Sequence, residues 1–403
     1  MTRRLLASTF LAASTALIAT ATATPTASAQ EAGGWEFDGV PSWSNPHSGD
    51  SFTFRGRVFL DYGDITFDTA GVETDYSDSE IRTARLGVTG SFGGVDYVAE
   101  FDWINEAIGA NDVYLTFDAD LFDVKVGHMK TTNSIEELTS SRYITFMERG
   151  LGTDLFGLDR RVGVTLARGG DNYSLSAGVY GGRPGDLSQS LELDDSSAIS
   201  ARATRTFNTN DATVHLGASV RHMDYGDAGT RIRVRPQTHI TDRVVTADFR
   251  PGRPLGEAET SFFWGLEFAA VNGPFHVEAE WFNQTLDGPT GDPDFSAQYI
   301  NFAWFITGET RSYSASSGKF GRTRPTTTVS EGGAGAWEVA VRYDRADLDS
   351  VAAGELTNWT LGVNWYLEDH VRIMANLVDG QLSVPGAADT DVSGAQLRLQ
   401  WDF

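Results

Sequence analysis

Few residues in this chain could do chemistry, and the suggestive ones are basic and clustered. The 403 residues carry 31 lysines and arginines against 55 aspartates and glutamates, a net charge of −24, with no cysteine. Yet residues 231–253 hold Arg231, Arg233, Arg235, Arg243, Arg250 and Arg253 against only Asp242 and Asp248. A second cluster within 308–335 holds Arg311, Lys319, Arg322 and Arg324, and a third, 131–150, holds Arg142 and Arg149, with Lys130 before it and Arg160 after. Rings of arginine and lysine are how pores select anions. Guanidinium is permanently charged and forks onto oxyanion oxygens, and arginine outnumbers lysine here 28 to three (Lys125, Lys130, Lys319). The chemistry indicated is the guiding of small anions, with a guanidinium geometry suited to oxyanions. Two competing readings stay open: each arginine can be a salt-bridge partner of Glu136, Glu137 or Glu148, and a GC-rich genome replaces lysine with arginine without functional cause.

Other chemistries find no foothold. The seven histidines (His47, His128, His215, His222, His239, His276, His370) show neither catalytic nor metal-binding spacing. No glycine-rich cradle precedes a helix. No catalytic residue, metal site or cofactor is expected, and no nucleic-acid partner.

The elements that must position these clusters are strands. Residues 1–29 have the form of a secretory signal peptide, with Arg3 and Arg4 ahead of an apolar run and Ala27-Ser28-Ala29 as the cleavage motif. Residues 30–50 show no periodicity and form a flexible lead-in. From residue 51 to 403 the pattern is dyad. The last segment, AQLRLQWDF, alternates without a miss, so one face is apolar and the other polar. Sixteen such segments are predicted, at 52–60, 81–92, 95–103, 112–118, 122–130, 161–168, 172–181, 199–207, 212–223, 261–271, 275–286, 296–307, 336–347, 357–366, 371–382 and 393–403. No stretch approaches ~18 consecutive apolar residues, which excludes a spanning helix. Even-to-odd connections are short and odd-to-even ones long, as in outer-membrane barrels and with no cause in a soluble meander. The expected fold is therefore all-β, a 16-stranded antiparallel transmembrane barrel of the porin type. One expected short turn, 308–335, is far too long and should fold into the bore. Residues 61–80, with seven acids and no base, are expected outside as a solvated loop.

The polar phase then gives the lumen. It contains Arg55, Arg57, Arg85, Arg161, Arg202, Arg221, Arg342, Arg372 and Arg398, a basic wall that closes through the first and last strands. Acids in the same phase, Asp96, Glu100, Asp102, Glu267, Glu278 and Glu280, are expected to oppose it across the water and set up a transverse field.

Several blocks carry a resemblance. LTSSRYITFMERG (138–150), VRPQTHITDRVV (234–245), TGETRSYSASSGKFGRTRP (307–325), GAWEVAVRYDRADLD (335–349) and LGVNWYLEDHVRIMANLV (361–378) resemble the phosphate-selective porin O and P family. The resemblance covers essentially everything after residue 50, and closure on Phe403 is similar to the assembly signal of outer-membrane barrels. It implies a homotrimeric porin in the Gram-negative outer membrane, passing phosphate, polyphosphate or other small anions, with outer loops three and five and one periplasmic turn folded inward. Within the matching blocks, Arg142, Arg149, Arg235, Arg243, Lys319, Arg322 and Arg324 fall on motif positions and are the implied constriction. Arg142 stands where lysine is common in the family. The alternatives are a general porin with weak anion preference and a non-conducting structural barrel.

Overall fold

Apolar–polar alternation puts successive side chains on opposite faces of a strand, and the computed structural model follows that pattern into sixteen long strands. It describes residues 33–37, 39–104, 108–184, 193–288 and 291–403. The expected signal peptide, 1–29, lies outside them. The strands are β1 (Ser51–Thr69), β2 (Val72–Phe92), β3 (Val95–Asp102), β4 (Gly109–Ala119), β5 (Phe122–Lys130), β6 (Arg160–Gly170), β7 (Tyr173–Tyr180) and β8 (Ser197–Asn208). They continue as β9 (Ala212–Asp224), β10 (Thr260–Asn272), β11 (Phe275–Asp287), β12 (Asp294–Phe305), β13 (Ala336–Asp347), β14 (Glu355–Glu368), β15 (Val371–Ser383) and β16 (Thr390–Asp402). Each pairs antiparallel with its chain neighbours, and β16 pairs back onto β1 from Asp402↔Arg57 to Thr390↔Thr69. The sheet closes, so backbone groups along the wall find partners without water. Among the described residues no helix is long and apolar enough to cross a membrane.

The wall is inside out relative to a water-soluble protein. In β16, Leu397, Leu399 and Trp401 are 52%, 44% and 51% exposed, whereas Arg398 is 2% exposed. Exposed aromatics ring both ends, with Phe92, Phe275, Trp304 and Trp401 at one and Trp103, Phe262 and Trp359 at the other, which suits two membrane interfaces. Connections at the first end are tight: Gly93 and Gly94, both at positive φ, turn β2 into β3 with two residues.

Two expectations change. Residues 61–80 are not a loop: β1 and β2 continue through them as one long hairpin, with β16 paired along β1 up to Thr69. The acids alternate with Tyr62, Ile65, Phe67 and Tyr76, and cross-strand pairs such as Phe67–Tyr76 hold the ladder together. Within the lead-in, residues 34–37 and 41–44 form a small hairpin that adds to β1 at residues 51–53.

The inserts fold inward. Residues 131–159 carry two short helices, α1 (Ile135–Leu138) and α2 (Leu151–Leu155), and are mostly buried within the barrel. Ser134 caps α1, its hydroxyl accepting from the Glu137 amide at 3.0 Å. The Glu280 carboxylate accepts from the amides of Ile135 at 2.9 Å and Glu136 at 3.2 Å. A two-stranded hairpin, 230–234 with 245–249, descends from the outer loop after β9. Together with α2 and β10–β12 it builds an apolar core inside the bore: Leu151, Leu155, Phe156, Val234, Val245, Phe249, Phe263, Phe282 and Phe295. Gly152 packs so closely on Phe282 that an added Cβ would lie 2.3 Å from its ring. Residues 306–335 enter from the opposite end, where Phe320 packs with Ile135, Ala269 and Val271.

Candidate functional site

The apolar core fills one side of the bore and leaves two open chambers on the other. The inner chamber, about 320 Å³, lies between the wall of β1, β2, β4, β5 and β6 and residues 138–149 of the inserted loop. Eleven arginines and lysines line it against two carboxylates, Asp112 and Glu148. All three lysines of the chain, Lys125, Lys130 and Lys319, converge there from β5 and from the inserted turn. The outer chamber, about 720 Å³, is lined by residues 151–161 and by the hairpin carrying Arg231, Arg233, Arg235 and Arg243. Arg82, Arg85, Glu148, Arg149 and Arg160 line both chambers and mark where they meet.

Most of these cations are balanced. Glu100 receives Arg55 and Arg57 at 3.0 Å each, and Asp102 receives Arg85 at 2.8 Å. Asp112 holds Arg160 at 2.9 Å, while Glu137 holds Lys130 and Arg149 at 3.1 Å each. Glu148 bridges Arg82 and Arg398 at 2.9 Å each. Burial alone would raise the Glu148 carboxyl, but Arg82 and then Arg398 override it and hold it far below its ordinary 4.5. Lys125 and Lys319 differ. Lys125 lies 4.3 Å over the Tyr114 ring, Lys319 is solvent-exposed within the bore, and neither has an ion pair among the described residues. Crowding by protein, then the charge of Lys125, lower the pKa of Lys319. In the outer chamber, partial burial and the nearby Arg243 likewise lower Arg233 and Arg235.

The implied constriction residues scatter along the path. Arg149 reaches both chambers, Arg142 and Lys319 line the inner one, and Arg235 and Arg243 the outer, Arg243 meeting Asp154 at 3.3 Å. Arg322 lies at the periplasmic mouth, bound to Asp402 and to the Asp369 carbonyl. It stacks on Tyr143 at 5.1 Å, with Arg142 at 5.3 Å from the same ring. Arg324 pairs with Asp369 at 3.4 Å, is 66% exposed and lines neither chamber.

The basic wall divides in two. Arg55, Arg57, Arg85 and Arg398 line the inner chamber, and Arg161 lines the outer one, held by Ser196 at 2.7 Å. The others line neither chamber, Arg372 meeting only a small cleft at the periplasmic mouth. Arg202 is locked on Glu267 at 2.6 Å. Arg221 donates to the Phe156 carbonyl at 2.7 Å, Arg342 to that of Glu148 at 2.9 Å and Arg372 to that of Ile144 at 2.9 Å, all on the inserted loop. Arg342 is also ion-paired with Glu136. These guanidiniums are staples for a loop that leaves its backbone carbonyls unpaired. The expected acidic wall also moves: Glu267, Glu278 and Glu280 are buried behind the inserts, and Glu100 and Asp102 sit among the arginines they neutralise.

Sequence phase missed Arg82. A β-bulge in the β1–β2 pairing, between Phe59↔Thr83 and Leu60↔Ile81, leaves Arg82 as the extra residue and turns it inward. The signal was present: Ile81 falls in the polar phase set by Arg85 and Thr83, a break in alternation. Lys125 was legible by phase, but only the fold sets it near Lys319.

The comparisons with known proteins agree with this architecture. Residues 52–403 match the family model described as phosphate-selective porin O and P. The chain belongs to that family. A Caulobacter vibrioides protein is 32% identical over 376 residues, covering 88% of this chain and 75% of that one. Porin O of Pseudomonas aeruginosa is 28% identical over 410 residues, covering 88% of each. An anion-selective porin from Comamonas acidovorans superposes with a TM-score of 0.54 at 12% identity, over 88% of this chain and all of that one. OmpT of Vibrio cholerae does so with a TM-score of 0.54 at 14% identity, over 88% and 98%. At such identities the two structures speak for the fold alone. This member of the porin O and P family is a β-barrel of the Gram-negative outer membrane and a porin.

Proposed function

We propose that this porin passes small anions, phosphate or polyphosphate among them, by passive diffusion through an arginine- and lysine-lined constriction formed by the inner chamber and its junction with the outer one. The observation that carries the reading is the pair Lys125 and Lys319, unbalanced by carboxylate in a chamber with a large cationic excess. Strong local positive potential concentrates anions and expels cations. In this reading Arg142, Arg149, Arg235 and Arg243 guide the anion toward that pair, Arg322 lies at its exit, residues 1–29 direct export, and the porin assembles as a homotrimer. The pairing of most arginines with Glu100, Asp102, Asp112 and Glu148 favours a second reading, a general porin with weak anion preference.

Bilayer recording separates the two. The reversal potential in a salt gradient should report anion preference, and added phosphate should block chloride current. K125Q/K319Q should reduce both while leaving the barrel folded. Cation-dominated current, or chloride current indifferent to millimolar phosphate, rules the reading out.

A further inference from the structure

The lipid-facing phase of the barrel is nearly free of cations, and two exceptions lie side by side. Arg345, near the outer end of β13, is neutralised by Asp347 and Glu355. Arg168 on β6 and Arg205 on β8 make only neutral contacts among the described residues. Arg168 donates to the Tyr173 hydroxyl at 3.2 Å and the Leu121 carbonyl at 3.3 Å, and Arg205 donates to the Asn172 side chain at 2.9 Å. With five N–H donors in each guanidinium fork, both keep donors to spare. Their strands flank β7, where Arg168 is level with Leu175 and Arg205 with Tyr173. Arg168 thus touches the Tyr173 side chain, while Arg205 reaches the neighbouring Asn172 and lies 6.0 Å over the Phe207 ring, the two strands being two spacings (about 10 Å) apart. They sit at the tight-turn, periplasmic end of the barrel.

Along the same strands, toward the membrane centre, lies an apolar trough of about 480 Å³. Phe122, Leu166 and Leu175 wall it, and Ala201, Ala203 and Ala218 floor it. Leu166 is two residues from Arg168, and Ala203 two from Arg205, so the trough runs into the cation pair. A second outward trough, about 350 Å³ on β10–β13, likewise has an arginine two residues beyond its lining, Arg345 after Tyr343, but that one is neutralised by Asp347 and Glu355.

We propose that this sector binds one glycerophospholipid of the periplasmic leaflet, its phosphate on Arg168 and Arg205 and an acyl chain in the alanine-floored trough. Charge complementarity selects the occupant: in a chain of net charge −24, two outward guanidiniums at headgroup depth have no carboxylate partner among the described residues. An arginine at the interface costs little, and it gains when a phosphate accepts both of its donors.

The test is native mass spectrometry of the detergent-purified porin, titrated with phosphatidylglycerol. One phospholipid per chain should survive detergent exchange. R168Q/R205Q should weaken retention about thirtyfold, the loss expected for two interfacial cations. Ala203→Trp should displace the lipid by filling the trough with both arginines in place. Single-channel conductance should stay at the parent value in both, showing intact barrels. Equal retention in parent and variants means ordinary annular lipid and overturns the proposal. So does efficient cross-linking between two Ala203→Cys chains, which would make a second copy the occupant.

Discussion

Glu148 has the most leverage of any single residue along the path. Its carboxylate forks onto Arg82 and also reaches Arg398, so it occupies the oxygens' place that a permeating oxyanion would compete for. E148Q should therefore strengthen anion selection. Removing one negative charge from a wet bore is worth ~0.5–1 kcal/mol, a factor of about two to five in relative occupancy. The chloride-to-potassium permeability ratio should rise by that factor, with phosphate block setting in at lower concentration. A ratio that falls or stays flat would mean Glu148 serves only to anchor its loop.

At the scale of elements, the inserted loop 131–159 decides which part of the bore stays open, and buried arginines decide where the loop sits. Arg342 is fully buried and joins Glu136, the Glu148 carbonyl, Gln237 and Asn301, tying together the loop, the hairpin tip and the wall. Taking away one partner of a buried pair strands the other charge, at a cost of about 3–5 kcal/mol, whereas replacing both by apolar residues recovers most of it. R342M should lower the heat-unfolding midpoint in detergent and make single-channel conductance larger and noisier as the loop loosens. R342M/E136M should return both toward the parent. If R342M alone matches the parent in both measurements, the staple contributes nothing.

For the whole molecule, the consequence is an off-centre pathway. A core of phenylalanines and leucines packs against β10–β12 and leaves the basic side open, so permeating ions pass between guanidinium-bearing walls rather than down the axis. Selection by such a field depends on ionic strength, because the screening length shrinks from about 10 Å at 0.1 M salt to about 3 Å at 1 M. Anion preference should therefore decline steadily across that range in reversal-potential measurements. Preference independent of salt would point to direct coordination in a dehydrated site instead of a long-range field.

The period-two pattern, the sorting of long and short connections and the closing AQLRLQWDF determined the barrel, its strand number, its handedness toward lipid and the basic character of three inserts, because each follows from one residue's relation to its near neighbours. What each arginine does was beyond that local information. Arg57 and Arg372 share the same phase and polarity, yet one lines the inner chamber and the other, outside it, holds a loop carbonyl, and the difference lies in what residues 138–149 cover. The bulge at Arg82, the meeting of Lys125 with Lys319 and the burial of Glu278 and Glu280 likewise come from contacts between segments far apart in the chain. Alternation tells which side of the wall a residue is on, and only the packing of the inserts against that wall tells whether it meets water, a carboxylate or backbone.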